Sequence, residues 1–279
     1  MLLGNPAIVN LTKILESGTA QSIDEVLKGQ NFTLATALWY TLCLNRLRMK
    51  QVTDGKEEMP SFASYSFVEE YYNLGSTLNA DREFTHTSYG VWPILSKDDV
   101  VRDEWLRFLD RFRICASNES KGKVVKALAR TLWEMADNVP WHAFLEGAPC
   151  SALAGYHVRD GVLTFSVADV GMGFLASLKK LPHWKSLQRE QDALQAVIDK
   201  EATSRPGETS GGGYKQLFQS LVDLNGLVYL RSGNSVVEIK QRGKERMRHF
   251  FPKAGGFGSQ ITVVVSFRGV PAETALEIC

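Results

Sequence analysis

The chain predicts an α/β fold in which helices cover one face of a mixed sheet. Three observations carry this. A long amphipathic helical run precedes an apolar hairpin. More helical spacing and a Ser/Thr/Gly-rich stretch follow. Three strand-like runs lie near the end of the chain. The order is helix, hairpin, helix, loop, helix, strands. It lacks the regular βαβα alternation of a Rossmann sheet.

Early in the chain, Leu34, Ala37, Leu38, Thr41 and Leu42 recur at helical spacing. Arg46, Arg48 and Lys50 follow, where cations suit a helix C-terminus. A polar loop over 54–58 and a Pro60 break come next, then a short aromatic helix over 67–74 ending at Gly75. Residues 96–99 resemble a helix start, with Trp105, Leu106, Leu109 and Phe112 as the buried face. The small, polar stretch 116–122 marks the boundary. Residues 1–118 are read as a smaller α/β regulatory region and 119–279 as the main domain.

A helix is predicted over 123–138, with Val124, Leu128, Leu132 and Met135 inside and Pro140 expected to kink or end it near Asn138. Residues 152–158 and 162–167 read as strands around Arg159-Asp160-Gly161, a hairpin signal. Helices are expected over 187–198 and 217–224, and strands over 227–230, 236–239 and 261–267. The basic run 240–253, with Arg242, Lys244, Arg246 and Arg248, reads as a solvated hairpin before a nucleic-acid patch.

Composition narrows the function classes. Apolar residues make up 44% and charged residues 23%, with a formal net charge of +1. A dedicated nucleic-acid or membrane-surface binder usually shows strong basic bias, so neither is expected. Cys43, Cys115, Cys150 and Cys279 form no CxxC pair, so a zinc site or disulfide framework is not expected. Residues 1–6 show no signal-peptide pattern, and the longest apolar run, over 34–44, is too short for a bilayer. A cytoplasmic protein is the expectation.

Glu134, Asn138 and His142 are four apart, which puts them on one helix face. A carboxylate there can activate water or a hydroxyl, an amide oxygen suits Mg²⁺, and an imidazole can donate to phosphate. On spacing alone, a solvated polar stripe accounts for the three more simply. Asp169 follows an apolar strand and can accept from an exocyclic amine such as that of adenine. Gly171 and Gly173 after it leave room for close backbone approach. A plain turn after a strand fits this run too. Gly211, Gly212 and Gly213 open the helix over 214–224, an arrangement that makes an anion site or caps a helix. Arg205 and Lys215 flank it and can pair with phosphate or with solvent.

Taken in order, these pieces resemble the GHKL ATPase superfamily, which includes gyrase B, a heat-shock chaperone class, histidine kinases and mismatch-repair ATPases. The resemblance covers roughly residues 121–267. Glu134, Asn138 and His142 resemble the N box, which implies Glu134 as general base and Asn138 as magnesium ligand. Asp169-Val-Gly171-Met-Gly173 resembles the G1 box, with Asp169 on the adenine amine. Thr203-Ser-Arg205 and Gly211-Gly-Gly213 are similar to the end of the ATP lid and the G2 box. Gly258-Ser259 before the last strand is similar to a Gly-Thr pair of the family, which implies that Ser259 or Thr262 supports Asp169 and an adenine-bound water. Tyr214 follows Gly213 where the family often has leucine, and Pro140 interrupts the N box.

The nearest likeness is to soluble bacterial anti-sigma-type or histidine-kinase-like ATPases, some of which carry a region resembling the STAS fold ahead of the ATPase. The resemblance implies a Bergerat-type sandwich, ATP and Mg²⁺, a protein partner, and a homodimer as in many relatives. It also implies ATP hydrolysis or protein phosphorylation in cytoplasmic signalling. The alternative is a non-catalytic ATP-gated module that holds or releases a protein partner.

Overall fold

The computed structural model describes residues 38, 42, 89–94, 97–117, 122–143, 152–200, 217–218, 221, 224, 226–242, 245–252 and 258–267. Within them the chain forms an α/β structure around a seven-stranded sheet. The strands are β1 (Tyr89–Ile94), β2 (Ala152–Arg159), β3 (Val162–Asp169), β4 (Leu227–Ser232), β5 (Ser235–Arg242), β6 (Glu245–Pro252) and β7 (Ser259–Ser266). The helices are α1 (Asp103–Ser117), α2 (Gly122–His142), α3 (Gly173–Leu178) and α4 (Glu190–Lys200), with 3-10 turns at Lys97–Val100 and Pro182–Trp184.

Local chemistry explains the strands. Asp160 (φ 52°) and Gly161 (φ 78°) both adopt positive φ, so β2 and β3 are joined by the two-residue turn that matches strand twist. The spatial order is β1-β2-β3-β7-β4-β5-β6, and every pairing is antiparallel. The expected mixed sheet is therefore corrected to an antiparallel one. Tight hairpins impose antiparallel pairing, and β7 enters between β3 and β4 antiparallel to both.

One face of the sheet carries the apolar core. Tyr156, Leu163, Phe165, Val228, Val237, Val263 and Val265 meet Phe112, Leu128, Leu132 and Leu194 of the helices in one buried cluster. Ring contacts from Phe108 and Phe112 to Tyr156, and from Phe112 to Phe165, seat α1 on β2 and β3. β1 and α1, which precede the expected boundary at 118, belong to this same sheet and core. The other face is also buried but polar in its centre. Ser166 shares a 2.8 Å hydroxyl contact with Thr262, donates to the Ile261 carbonyl at 2.9 Å and accepts from Gln260 at 3.3 Å. Those bonds offset the loss of water.

Several expectations change. α2 runs through Pro140 to His142 rather than ending near Asn138. Proline removes one backbone bond, but this one sits in the last turn, and the Ala143 N–H still reaches the Val139 carbonyl at 2.9 Å. Leu106 is 51% exposed, because it lies beside the stripe of Trp105, Phe108, Leu109 and Phe112 that faces the core. The basic run becomes the β5–β6 hairpin. There Arg248 pairs with Asp199 of α4, and the Arg246 guanidinium lies 4.2 Å from the centroid of the Phe218 ring. Arg246 and Arg248 thus serve intramolecular contacts. Leu38 and Leu42 are helical and buried. The helix expected to start at 96–99 begins at Asp103 after the 3-10 turn, with Trp105, Leu109 and Phe112 buried as expected. The expectations over 46–75 lie outside the described residues, as does the STAS likeness apart from Leu38 and Leu42. No described helix is long and apolar enough to cross a membrane.

Candidate functional site

Asp169 ends β3 on the helix-covered side of the sheet. Antiparallel register sets it opposite Ser259 of β7, and Ser259 opposite Ser232 of β4. A polar row thus closes this end of the sheet. Asp169 is 6% exposed and both its oxygens are engaged. Oδ1 accepts from the Gly171 N–H at 2.8 Å, and Oδ2 accepts from the Ser259 hydroxyl. Burial pushes its carboxyl above the usual carboxylate range, and the hydrogen bonds from Ser259 and Gly171 only partly oppose this. The result is a fixed, desolvated acceptor at a strand end.

The glycines around it are required by close packing. A Cβ on Gly171 would run into the carbonyl and Cα of Ala143, at the end of α2. A Cβ on Gly258 (φ 68°) would strike the Asp169 carbonyl. Gly173 (φ 76°) faces the Ser232 hydroxyl, where a Cβ would sit at 2.9 Å. The Gly171 contact docks the C-terminal end of α2 against the Asp169 loop. With about 1.5 Å rise per residue, Asn138 lies roughly 7–8 Å and Glu134 roughly 13–14 Å up the helix axis from that contact.

Glu134 and Asn138 flank the buried stripe of α2 that contains Leu132, Met135, Ala136 and Val139. Glu134 Oε1 accepts from Arg130 Nε at 2.8 Å. Oε2 is buried and finds no hydrogen-bond partner among the described residues. A carboxylate oxygen without a partner is costly inside a protein, which makes Oε2 the natural acceptor for a ligand proton or water. The Arg130 side chain is 63% exposed, so the pair adds little stability and can yield.

The other expected site residues divide clearly. Ser259 is in direct contact with Asp169. Thr262 is buried on the opposite face of the sheet, against Ser166. His142 closes α2, and its side chain lies outside the described residues. Arg205, Gly211, Gly212, Gly213 and Lys215 are likewise outside them. Among the described residues, no group of three or more His, Cys, Asp or Glu could hold a metal ion. Three residues beyond the sequence reading enter this neighbourhood. Arg130 was visible as an i,i+4 partner of Glu134. Glu190 and Ser232 carry no motif and meet only through the fold.

The segment after Gly173 is a packed unit rather than a loose loop. Leu178, Ala193, Ala196 and Val197 form a small core of their own, flanked by Phe174, Leu175, Trp184 and Leu187. Leu194 and Ile198 tie α4 to the main core. In comparison with known proteins, no family model matches the chain and no curated protein matches it.

Proposed function

We propose that the protein binds ATP with Mg²⁺ at a GHKL-like, Bergerat-type site and hydrolyses it or transfers its γ-phosphate to a protein. The observation that carries the reading is Asp169. It is a buried acceptor at a strand end, oriented by Ser259 and the Gly171 N–H, in a loop that rests on α2. An acceptor so placed suits the exocyclic amine of adenine, and the distance along α2 to Glu134 suits a nucleotide with its phosphates extended.

The residues fit the group. Oε2 of Glu134, which has no hydrogen-bond partner among the described residues, suits a water or hydroxyl that it would orient and deprotonate. The Asn138 oxygen would hold Mg²⁺, with phosphate and water completing the shell. The metal supplies charge neutralisation at the phosphates. Asp169 and Ser259 hold the base, and Glu134 manages the proton.

One observation favours a second reading, an ATP-gated binding module with negligible turnover. Oε1 of Glu134 is already engaged by Arg130, and that contact must break before this oxygen can meet a water or hydroxyl. Incubation with γ-labelled ATP and Mg²⁺, with free phosphate separated from labelled protein, distinguishes the outcomes. Free phosphate supports a hydrolase and labelled protein a kinase. Binding without either supports the module, and no binding refutes both readings.

A further inference from the structure

We propose that Glu190 and Ser232 are positioning residues that clamp the Asp169 loop to the segment following it. This rests on the nucleotide reading of Asp169 above.

The contacts form one chain. The Ser232 hydroxyl donates to Glu190 Oε2 at 2.6 Å and accepts from the Phe174 N–H at 2.7 Å. The same Glu190 oxygen accepts from the Leu175 N–H at 3.2 Å. Two backbone donors in the first turn of α3 are thereby satisfied by side chains 58 and 15 residues away. Gly173, between Asp169 and those donors, has φ 76°, and its open side faces Ser232 Oγ and Glu190 Oε1. A Cβ there would crowd the Ser232 hydroxyl.

The clamp reaches Asp169 by a second route. Ser232 lies opposite Ser259 in the sheet, and Ser259 donates to Asp169. Beside it, the Gly233 N–H donates to the Gly258 carbonyl at 3.1 Å, and Gly258 sits directly against the Asp169 carbonyl. Glu190 is also the first residue of α4, the helix that leads into residues 201–216. One carboxylate therefore joins the start of α4, the start of α3 and the end of the polar row. Displacement of α4 breaks its bonds to Ser232 and to the start of α3, so the pair links that helix to the elements that flank the acceptor loop.

Amide hydrogen exchange and ATP·Mg²⁺ titration of the full chain test this. Glu190→Ala and Ser232→Ala are expected to speed exchange at Phe174 and Leu175 about fivefold or more, as loss of a bond worth about 1 kcal/mol or more implies. They are expected to weaken ATP about three- to tenfold while turnover at saturation stays within about twofold of wild type. Glu190→Gln keeps an acceptor oxygen and restores both readouts. Asp192→Ala, on the same helix but bonded to Arg189 and the Gln188 backbone rather than to Ser232 or α3 in the described contacts, serves as the control and changes neither. Unchanged exchange in Glu190→Ala overturns the clamp. Faster exchange with unchanged ATP affinity overturns the positioning role. Wild-type protein that binds no ATP refutes the nucleotide reading and the positioning role with it, while the exchange comparison still decides the clamp.

Discussion

The two ends of the candidate site are built differently. At the Asp169 end both carboxylate oxygens are bonded, and Gly171 and Gly258 pack directly against backbone. At the Glu134 end one oxygen is held by an exposed arginine, and the other is buried with no described partner. The first is preorganised, since nothing must move for it to accept a hydrogen bond. The second is incomplete until something supplies a donor. On the proposed reading, binding draws on the prearranged Asp169 end, whereas turnover requires rearrangement around Glu134.

Substitutions can break that contrast. Glu134→Ala is expected to lower ATP turnover by about 10²–10⁴-fold, the usual worth of a general base, with ATP affinity nearly unchanged. Steady-state phosphate release beside equilibrium binding checks this, and equal turnover in the variant removes the base assignment. Asp169→Asn is expected to weaken ATP by roughly 10–100-fold, the scale of a hydrogen bond to a charged acceptor. Affinity within about twofold of wild type would detach Asp169 from the site.

A third substitution sharpens the structural half. Gly258→Ala puts a Cβ against the Asp169 carbonyl at a φ that side chains rarely adopt. We expect a loss of about 2–4 kcal/mol, read by denaturant unfolding. A loss under about 0.5 kcal/mol would show that this turn is not tightly packed.

The smallest effect is a pH dependence. The buried Asp169 carboxyl keeps its proton to higher pH than it does in the unfolded chain. The folded state then holds more protons between those two values, so stability falls as pH rises through that window, and the penalty persists above it. Asp169→Asn removes the penalty. Its melting temperature relative to wild type should climb as pH is raised from about 4 to neutrality. A difference independent of pH contradicts the buried-charge account.

Much of this is legible in the sequence. The Asp160-Gly161 turn and its apolar flanks define the β2–β3 hairpin, and Asp169 stands out as the polar end of an apolar run. Strands β1 and β6 were hidden. β1 contains Gly90 and Pro93, which an edge strand tolerates but a sequence reader takes as breaks. β6 is dense in charge, which guards a sheet edge against other chains but masks its alternation. The choice between Ser259 and Thr262 as Asp169's support needed the register of β7, because odd and even residues face opposite sides. Glu190 and Ser232 were invisible, since only folding brings them together.

The central claim is that Asp169 anchors a nucleotide. Calorimetric titration of ATP·Mg²⁺ into wild type and Asp169→Asn, side by side, tests it most directly. The account predicts saturable binding by wild type that is largely lost in the variant while both remain folded. Absence of binding by wild type, or equal binding by the two, would contradict it.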